Sequence, residues 1–94
     1  EKPVGQDRFD VFGTKEDMWE GRSYFIVECK NKTQVTLTDI VNFKSKLRRF
    51  YQGLPEDMSG KAPVKALLAY TGKLPKNANE VVRDFKPAIK FKKF

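Results

Sequence analysis

Two neighbouring stretches near the start of the chain carry the hydrophobic pattern of β-strands. Residues 8–12 (RFDVF) alternate polar and apolar side chains and stop at Gly13. Residues 22–30 (RSYFIVECK) are aromatic and β-branched through their centre, which favours a second strand. Residues 14–21 are polar apart from Met18 and Trp19, so we expect a long hairpin loop there.

A period of two assigns the second strand's side chains to opposite faces. One face carries Tyr24, Ile26, Glu28 and Lys30, and the other carries Phe25, Val27 and Cys29. The second set is uniformly apolar, so we expect it to face a helix. Cys29 on that face is then expected to be a buried structural thiol and not a nucleophile.

The clearest helix signal follows this strand. Thr36 and Asp39 have the spacing of a capping box, and apolar residues then recur at steps of three and four up to Leu54. Gly53 and Pro55 end the helix. Four further segments are expected: a loop over residues 55–63, an inner strand over 64–71, a short helix capped by Asn77 that ends before Pro87, and an edge strand over 88–94.

The order of elements is therefore β-β-α-β-α-β. A helix that joins two strands usually forms a right-handed crossover between parallel strands. We expect an α/β fold, a small mixed β-sheet with flanking helices.

Composition excludes several kinds of chemistry. The chain has 94 residues, enough for a single domain, and it contains no histidine and one cysteine. Histidine-based catalysis, an intramolecular disulfide and a cysteine-rich zinc site are ruled out. No apolar run approaches the roughly 20 residues that span a bilayer, so we expect no membrane association and a cytoplasmic location.

Charge is unevenly distributed along the chain. Residues 1–28 carry seven acidic and four basic side chains, a net charge of −3, whereas residues 29–94 carry five acidic and fifteen basic ones, a net charge of +10. A basic body with an acidic patch suits a protein that contacts phosphates and holds a cation. A lysine-rich surface that only confers solubility explains the charge equally well.

Two carboxylates and a lysine form the candidate chemical site. If the first two strands pair as a hairpin, Asp10 and Glu28 reach one sheet edge, and Lys30 projects from the same face as Glu28. A divalent cation would neutralise the two acids, and Mg²⁺ suits them together with the backbone carbonyl of Cys29 and several waters. Lys30 would then orient a water and stabilise charge on a phosphate. The simpler interpretation is a cross-strand charge network on a solvent-exposed face.

These motifs resemble those of the PD-(D/E)XK nuclease superfamily, the restriction-endonuclease-like fold. Asp10 in RFDVFG matches the first acid, with Phe9 in place of the usual proline, and Glu28-Cys29-Lys30 in YFIVECKNK matches the second element. Residues 35–50 look like the following helix in archaeal and bacterial members, which include Holliday-junction resolvases and many nuclease-like proteins. The resemblance implies a Mg²⁺- or Mn²⁺-dependent nuclease that uses Asp10, Glu28 and Lys30.

The family core usually begins with a helix that precedes the first acid. Only nine residues precede Asp10, so we expect residues 1–94 to be a single restriction-endonuclease-like domain, truncated at its N-terminus, whose first core helix is absent. That helix would come from a longer parent protein or from a second protomer of a homodimer.

Several polar residues are candidates for contacting a nucleic acid, which the resemblance implies is DNA. Each lysine or arginine that neutralises a phosphate adds salt-dependent affinity. The alternatives are a turn residue for Gln34, a solvated side chain for Lys32, and complementation of the helix dipole for the helix residues. The candidate set is Lys32, Gln34, Lys44, Lys46, Arg48 and Arg49.

The leading hypothesis is thus a metal-dependent DNA endonuclease-like domain. The alternative is a catalytically inactive module of the same fold that binds nucleic acid or a protein partner. A third hypothesis is an accessory domain of a larger ATPase or defence protein.

Overall fold

The computed structural model describes the backbone of residues 2–4, 7–19, 21–54, 56–57, 60–61 and 64–94, and the side chains of residues 10–16, 18–19, 21–54 and 64–94. The strands are β1 (Lys2–Val4), β2 (Asp7–Phe9), β3 (Val11–Asp17), β4 (Gly21–Lys30), β5 (Glu56–Asp57), β6 (Gly60–Lys61), β7 (Val64–Tyr70) and β8 (Ile89–Lys93), and the helices are α1 (Leu37–Gln52) and α2 (Ala78–Val82).

Within these residues, the main sheet has four strands in the order β3-β4-β7-β8. β3 and β4 are antiparallel, whereas β4 pairs with β7 and β7 with β8 in parallel. α1 connects the first parallel pair and α2 the second, as βαβ connections require. The expected small mixed α/β fold is confirmed.

Two short hairpins lie outside the main sheet. β1 pairs with β2, and β5 pairs with β6, both antiparallel. The second hairpin falls in residues 55–63, for which a plain loop was the prediction. Strands of two residues give too short an alternating pattern to be recognised from sequence.

The first strand of the main sheet differs most from expectation. Residues 8–12 divide between β2 and β3 with a bend at Asp10, so Asp10 precedes the strand instead of lying within it. β3 then continues to Asp17, through residues predicted to be loop. Its polar outer half is paired across the hairpin, where Arg22 donates hydrogen bonds to the Glu16 carboxylate. Cross-strand pairing of this kind supports a strand that the hydrophobic pattern does not mark.

Local capping determines where α1 begins. The Thr36 hydroxyl accepts a hydrogen bond from the Asp39 N–H, and the Asp39 carboxylate accepts one from the Thr36 N–H. The helix ends at Gly53, whose N–H donates to the Arg49 carbonyl. The predicted capping box is confirmed. Asn77, by contrast, makes no side-chain hydrogen bond to cap α2.

The face of β4 that packs on the helix is the opposite of the predicted one. Ile26 and Glu28 are buried, and the Tyr24 ring meets Phe50 of α1 edge-on at 5.3 Å between centroids. Cys29, on the other face, is exposed, so the expectation of a buried thiol is wrong. The buried core brings this face of the sheet together with both helices: Ile26, Val35, Ile40, Phe43, Leu47, Ala66, Leu68, Ala78, Val82 and Ile89.

The capping residue Asp39 gives α1 a pH-dependent stability. Burial alone would raise the pKa of Asp39, but hydrogen bonds from Lys32 and Thr36 outweigh it and lower that pKa to about 2. A carboxylate whose pKa is lower in the folded state stabilises the fold above its unfolded pKa of 3.8, and this stabilisation disappears as the pH falls toward 2.

We therefore expect Asp39→Asn to lower the free energy of unfolding by about 1–2 kcal/mol at pH 7. The deficit should shrink progressively between pH 4 and pH 2, as measured by urea denaturation followed by circular dichroism. Asp84→Asn, at an exposed position, serves as the control and should change stability by less than about 0.5 kcal/mol. A deficit that is constant across this pH range would contradict the role assigned to the carboxylate.

Candidate functional site

The antiparallel pairing of β3 and β4 brings Asp10 beside the end of β4. The register starts at Val11 opposite Val27, so β3 no longer covers β4 beyond that point. Asp10 turns at this position, and its Oδ2 accepts a hydrogen bond from the backbone N–H of Cys29 at 2.7 Å. A charged acceptor makes a strong hydrogen bond, so this bond fixes the Asp10 carboxylate beside β4 and stabilises the bend at Asp10.

Glu28 is a buried carboxylate at the interface of the sheet and α1. The residue is 6% exposed, and its Oε2 accepts a hydrogen bond from the Lys46 Nζ at 3.1 Å. Burial is the main cause of a raised pKa for Glu28, and the nearby Asp10 carboxylate raises it further. Lys46 and Lys30 act in the opposite direction but do not cancel the burial. Glu28 is therefore an acid whose charged form the fold destabilises.

Lys30 lies two residues beyond Glu28 on the same face of β4. It is half-buried, and its positive charge acts favourably on the Glu28 carboxylate. Its backbone carbonyl accepts a hydrogen bond from the Thr71 N–H, which anchors the end of β4 to β7. Asp10 and Lys30 therefore both lie close enough to Glu28, at the end of β4, for their charges to act on its carboxylate.

The Cys29 backbone faces the side of the sheet on which Asp10 lies. The N–H and the carbonyl of one strand residue point to the same neighbouring strand, so the carbonyl shares the orientation of the N–H that Asp10 binds. The thiol is unsuited to act as a nucleophile. Partial burial of the sulfur, with the carboxylates of Asp10 and Glu28, raises the pKa of the Cys29 thiol and disfavours the thiolate.

All the oxygen donors at this edge are of the type that Mg²⁺ prefers. The donor set consists of two carboxylates and one backbone carbonyl, and Mg²⁺ commonly uses one or two carboxylates and keeps several waters. Among the described residues, no group of three or more histidine, cysteine, aspartate or glutamate side chains is arranged to hold a metal. Two carboxylates and one carbonyl would leave several coordination positions of Mg²⁺ to water, so they do not make a site composed entirely of protein ligands.

Lys46 is the residue of this site whose role sequence reasoning missed. It was predicted to contact nucleic acid, but its ammonium group lies 3.1 Å from the buried Glu28 carboxylate, and its side chain is partly buried. A signal was present in the helical spacing. Lys46 is three residues after Phe43 and four before Phe50, both of which pack in the core, so it belongs to the inward stripe of α1.

Two of the other basic candidates on α1 contact α2 or the segment that follows it. Lys44 donates to the Val81 carbonyl at 2.8 Å, and its ammonium lies 5.3 Å from the centre of the Phe85 ring. The Arg48 guanidinium lies 5.8 Å from the same ring. These cation–π contacts help to join α1 to the segment that follows α2. Arg49 is exposed on the helix surface.

The two candidates in the loop after β4 also have partners within the protein. Lys32 forms an ion pair of 2.9 Å with Asp39, and the Gln34 side-chain amide donates to the Val35 and Lys73 carbonyls. Gln34 therefore links the β4–α1 loop to the loop after β7. Among the described residues, neither the Lys32 nor the Gln34 side chain hydrogen-bonds to Asp10 or Glu28.

Comparison of the chain with protein-family models, with curated proteins and with solved structures gives no match. The restriction-endonuclease-like core accordingly remains a prediction from the motifs. None of the helices within the described residues is long and apolar enough to cross a membrane.

The Glu28–Lys46 pair predicts a strong energetic coupling between β4 and α1. Lys46→Met should lower the free energy of unfolding by about 1–3 kcal/mol, because it leaves a buried carboxylate without its cationic donor. In a Glu28→Gln background, the loss in the free energy of unfolding caused by Lys46→Met should be smaller by about 1–2 kcal/mol. Urea denaturation of the two single variants and the double variant measures this difference.

Lys44→Met provides the matched control, because it removes a lysine of the same helix whose partner is Val81. Its effect should be equal in the wild-type and Glu28→Gln backgrounds. If Lys44→Met and Lys46→Met showed the same coupling energy with Glu28→Gln, a specific Glu28–Lys46 interaction would be contradicted.

Proposed function

We propose that the chain is a nuclease domain that hydrolyses phosphodiester bonds of DNA with the help of Mg²⁺ or Mn²⁺. The observation that carries this proposal is the convergence of Asp10 and Glu28 at the end of β4, with the Asp10 carboxylate bound to the Cys29 N–H and Lys30 on the face of Glu28. Two carboxylates and a lysine in this arrangement are chemically sufficient for metal-assisted hydrolysis without histidine.

Asp10, Glu28 and the Cys29 carbonyl would hold the cation. When bound, it would supply Lewis acidity to a water and to a phosphate oxygen. Asp10 is already immobilised by its hydrogen bond, so its carboxylate is preorganised. Glu28 is buried, and a cation would relieve the unfavourable desolvation that raises its pKa.

Lys30 would position the attacking water and stabilise negative charge that develops on the phosphate. Lys30 is the last residue of β4, and the hydrogen bond that its carbonyl accepts from the Thr71 N–H holds its backbone in place. The net charge of +10 over residues 29–94 would attract the polyanionic substrate and make binding sensitive to salt.

This proposal predicts metal-dependent cleavage that requires the three residues. Asp10→Asn, Glu28→Gln and Lys30→Gln should each lower the rate of DNA cleavage about 100-fold or more, because the first two remove ligands of the proposed cation and the third removes the charge that would stabilise the phosphate. The assay uses supercoiled and linear DNA with Mg²⁺ or Mn²⁺. Glu80→Gln, on the exposed surface of α2, is the control and should retain the wild-type rate.

Metal binding also has a readout independent of cleavage. Mg²⁺ at ten times its dissociation constant should raise the free energy of unfolding by about 1.4 kcal/mol, and Glu28→Gln should lose most of this gain. The proposal fails if no nucleic acid is cut and calorimetry detects no cation binding.

One observation favours a second candidate, a nuclease-like module that binds nucleic acid or a protein without catalysis. The Lys46 ammonium already neutralises Glu28 at 3.1 Å, so the buried carboxylate has a cationic partner that needs no metal. A cation at Glu28 would have to share or displace this contact.

The second candidate predicts DNA binding that is independent of the metal site. Affinity measured by fluorescence anisotropy should be unchanged by EDTA and by Glu28→Gln, and should fall steeply with salt. Binding that needs Mg²⁺ and an intact Glu28 would instead support the catalytic candidate.

A further inference from the structure

A pocket opens at the carboxyl ends of three parallel strands. β4, β7 and β8 all run in one direction, and residues at and just beyond their ends line an open pocket of about 530 Å³. In open sheets of parallel strands, ligand sites commonly lie beyond this end of the strands. The residues that matter for its chemistry are Asn31, Lys32, Thr71, Gly72, Lys73 and Lys93.

The lining is cationic. Lys32, Lys73 and Lys93 come from the ends of three different strands, and the described lining contains no acidic side chain. Lys32 is partly neutralised by its ion pair with Asp39, whereas Lys73 and Lys93 are exposed to solvent. Three lysines around a polar cavity favour an anion over a cation or an apolar ligand.

The walls of the pocket are held in place by the backbone. The Lys73 N–H donates to the Thr33 carbonyl at 3.0 Å, and the Val35 N–H donates to the Lys73 carbonyl at 2.8 Å. The Thr71 hydroxyl also hydrogen-bonds to the Asn31 side chain. The two loops that carry Lys32 and Lys73 are therefore joined side by side.

Gly72 allows this close approach. A Cβ atom at this position would lie within about 2 Å of the Thr33 and Lys32 carbonyl oxygens, so no larger residue fits without moving the backbone. The shape of the pocket is accordingly determined in part by the backbone of these two loops and not by the conformation of long side chains alone.

We propose that this pocket binds a phosphate group of a nucleic-acid strand. Lysine is a suitable point charge for phosphate, and the cavity has room for a nucleotide around that phosphate. Asn31 directly follows Lys30, so the pocket adjoins the candidate catalytic edge along β4. The choice of nucleic acid rests on the proposed function; the pocket itself rests on its own geometry and charge.

The first experiment measures binding of a single-stranded oligonucleotide by fluorescence anisotropy, in EDTA and at several salt concentrations. Lys73→Gln and Lys93→Gln should each weaken binding about 3–10-fold and reduce the slope of log affinity against log salt by about 0.7. Lys76→Gln and Lys90→Gln are matched controls, since both lysines are exposed but do not line the pocket, and they should change affinity less than twofold. Equal losses in all four variants would overturn the proposal, because they would show diffuse electrostatic attraction.

A second experiment locates the anion. Amide chemical shifts of Thr33 and Gly72 should move on titration with inorganic phosphate and with a 5′-phosphorylated oligonucleotide, and the shifts should be smaller in Lys73→Gln. Tighter binding of the 5′-phosphorylated strand than of its 5′-hydroxyl counterpart would support the pocket as a site for a terminal phosphate. Saturation by a free deoxynucleotide, with strand binding unaffected by the lysine variants, would overturn the assignment to a nucleic acid.

These outcomes are separable from those of the catalytic proposal, because all measurements are made without metal. Binding that depends on the pocket lysines in a protein that does not cleave DNA would refute only catalysis. Cleavage in a protein whose pocket variants behave like the controls would refute only the pocket.

Discussion

A carboxylate buried between the sheet and its crossover helix constrains much of this structure. Glu28 lies on the face of β4 that contacts α1, among residues that are otherwise apolar. Removing an ionised carboxylate from water is strongly unfavourable unless a partner offsets it, and the ammonium of Lys46 is that partner. The pair therefore restricts the rotation of α1 about its own axis relative to β4. A slip of one residue in either element would bury one charge without the other.

The neighbouring sheet edge places a second carboxylate near Glu28. β3 stops pairing at Val11, and Asp10 bends to place its carboxylate on the Cys29 N–H. A continuing strand would have satisfied that N–H with a backbone carbonyl and would have left no anion there. The bend thus substitutes a charged acceptor for a neutral one and brings a second negative charge toward Glu28, which raises the pKa of Glu28 further. A carboxylate whose ionised form is disfavoured by burial and by a neighbouring charge is commoner at functional sites than elsewhere, because a stable fold alone would not require it.

The elements that were predictable are those that depend on local chemistry. The capping residues Thr36 and Asp39 and the apolar stripe of α1 mark the helix without reference to the rest of the molecule. The order of strand, helix and strand then leads to the parallel pairing of β4 and β7. The inward face of β4 could not be read in this way, because a period of two separates two faces but does not say which is buried. Glu28 made the true inner face look like the outer one, and Lys46, which compensates for it, lies in a different element.

The structure also gives the basic residues of the chain different contacts from those that the sequence suggests. The lysines of α1 that looked like a surface for nucleic acid are drawn into contacts with Glu28, Val81 and Phe85. The cationic surface that the fold builds lies instead beyond the strand ends, where Lys32, Lys73 and Lys93 meet although they are up to 61 positions apart in sequence. No linear pattern joins these residues; the parallel register of β4, β7 and β8 does. Because the acidic pair also lies at the end of β4, a polyanion held at the strand ends would lie near these carboxylates, and its phosphates would favour binding of the cation that we propose there.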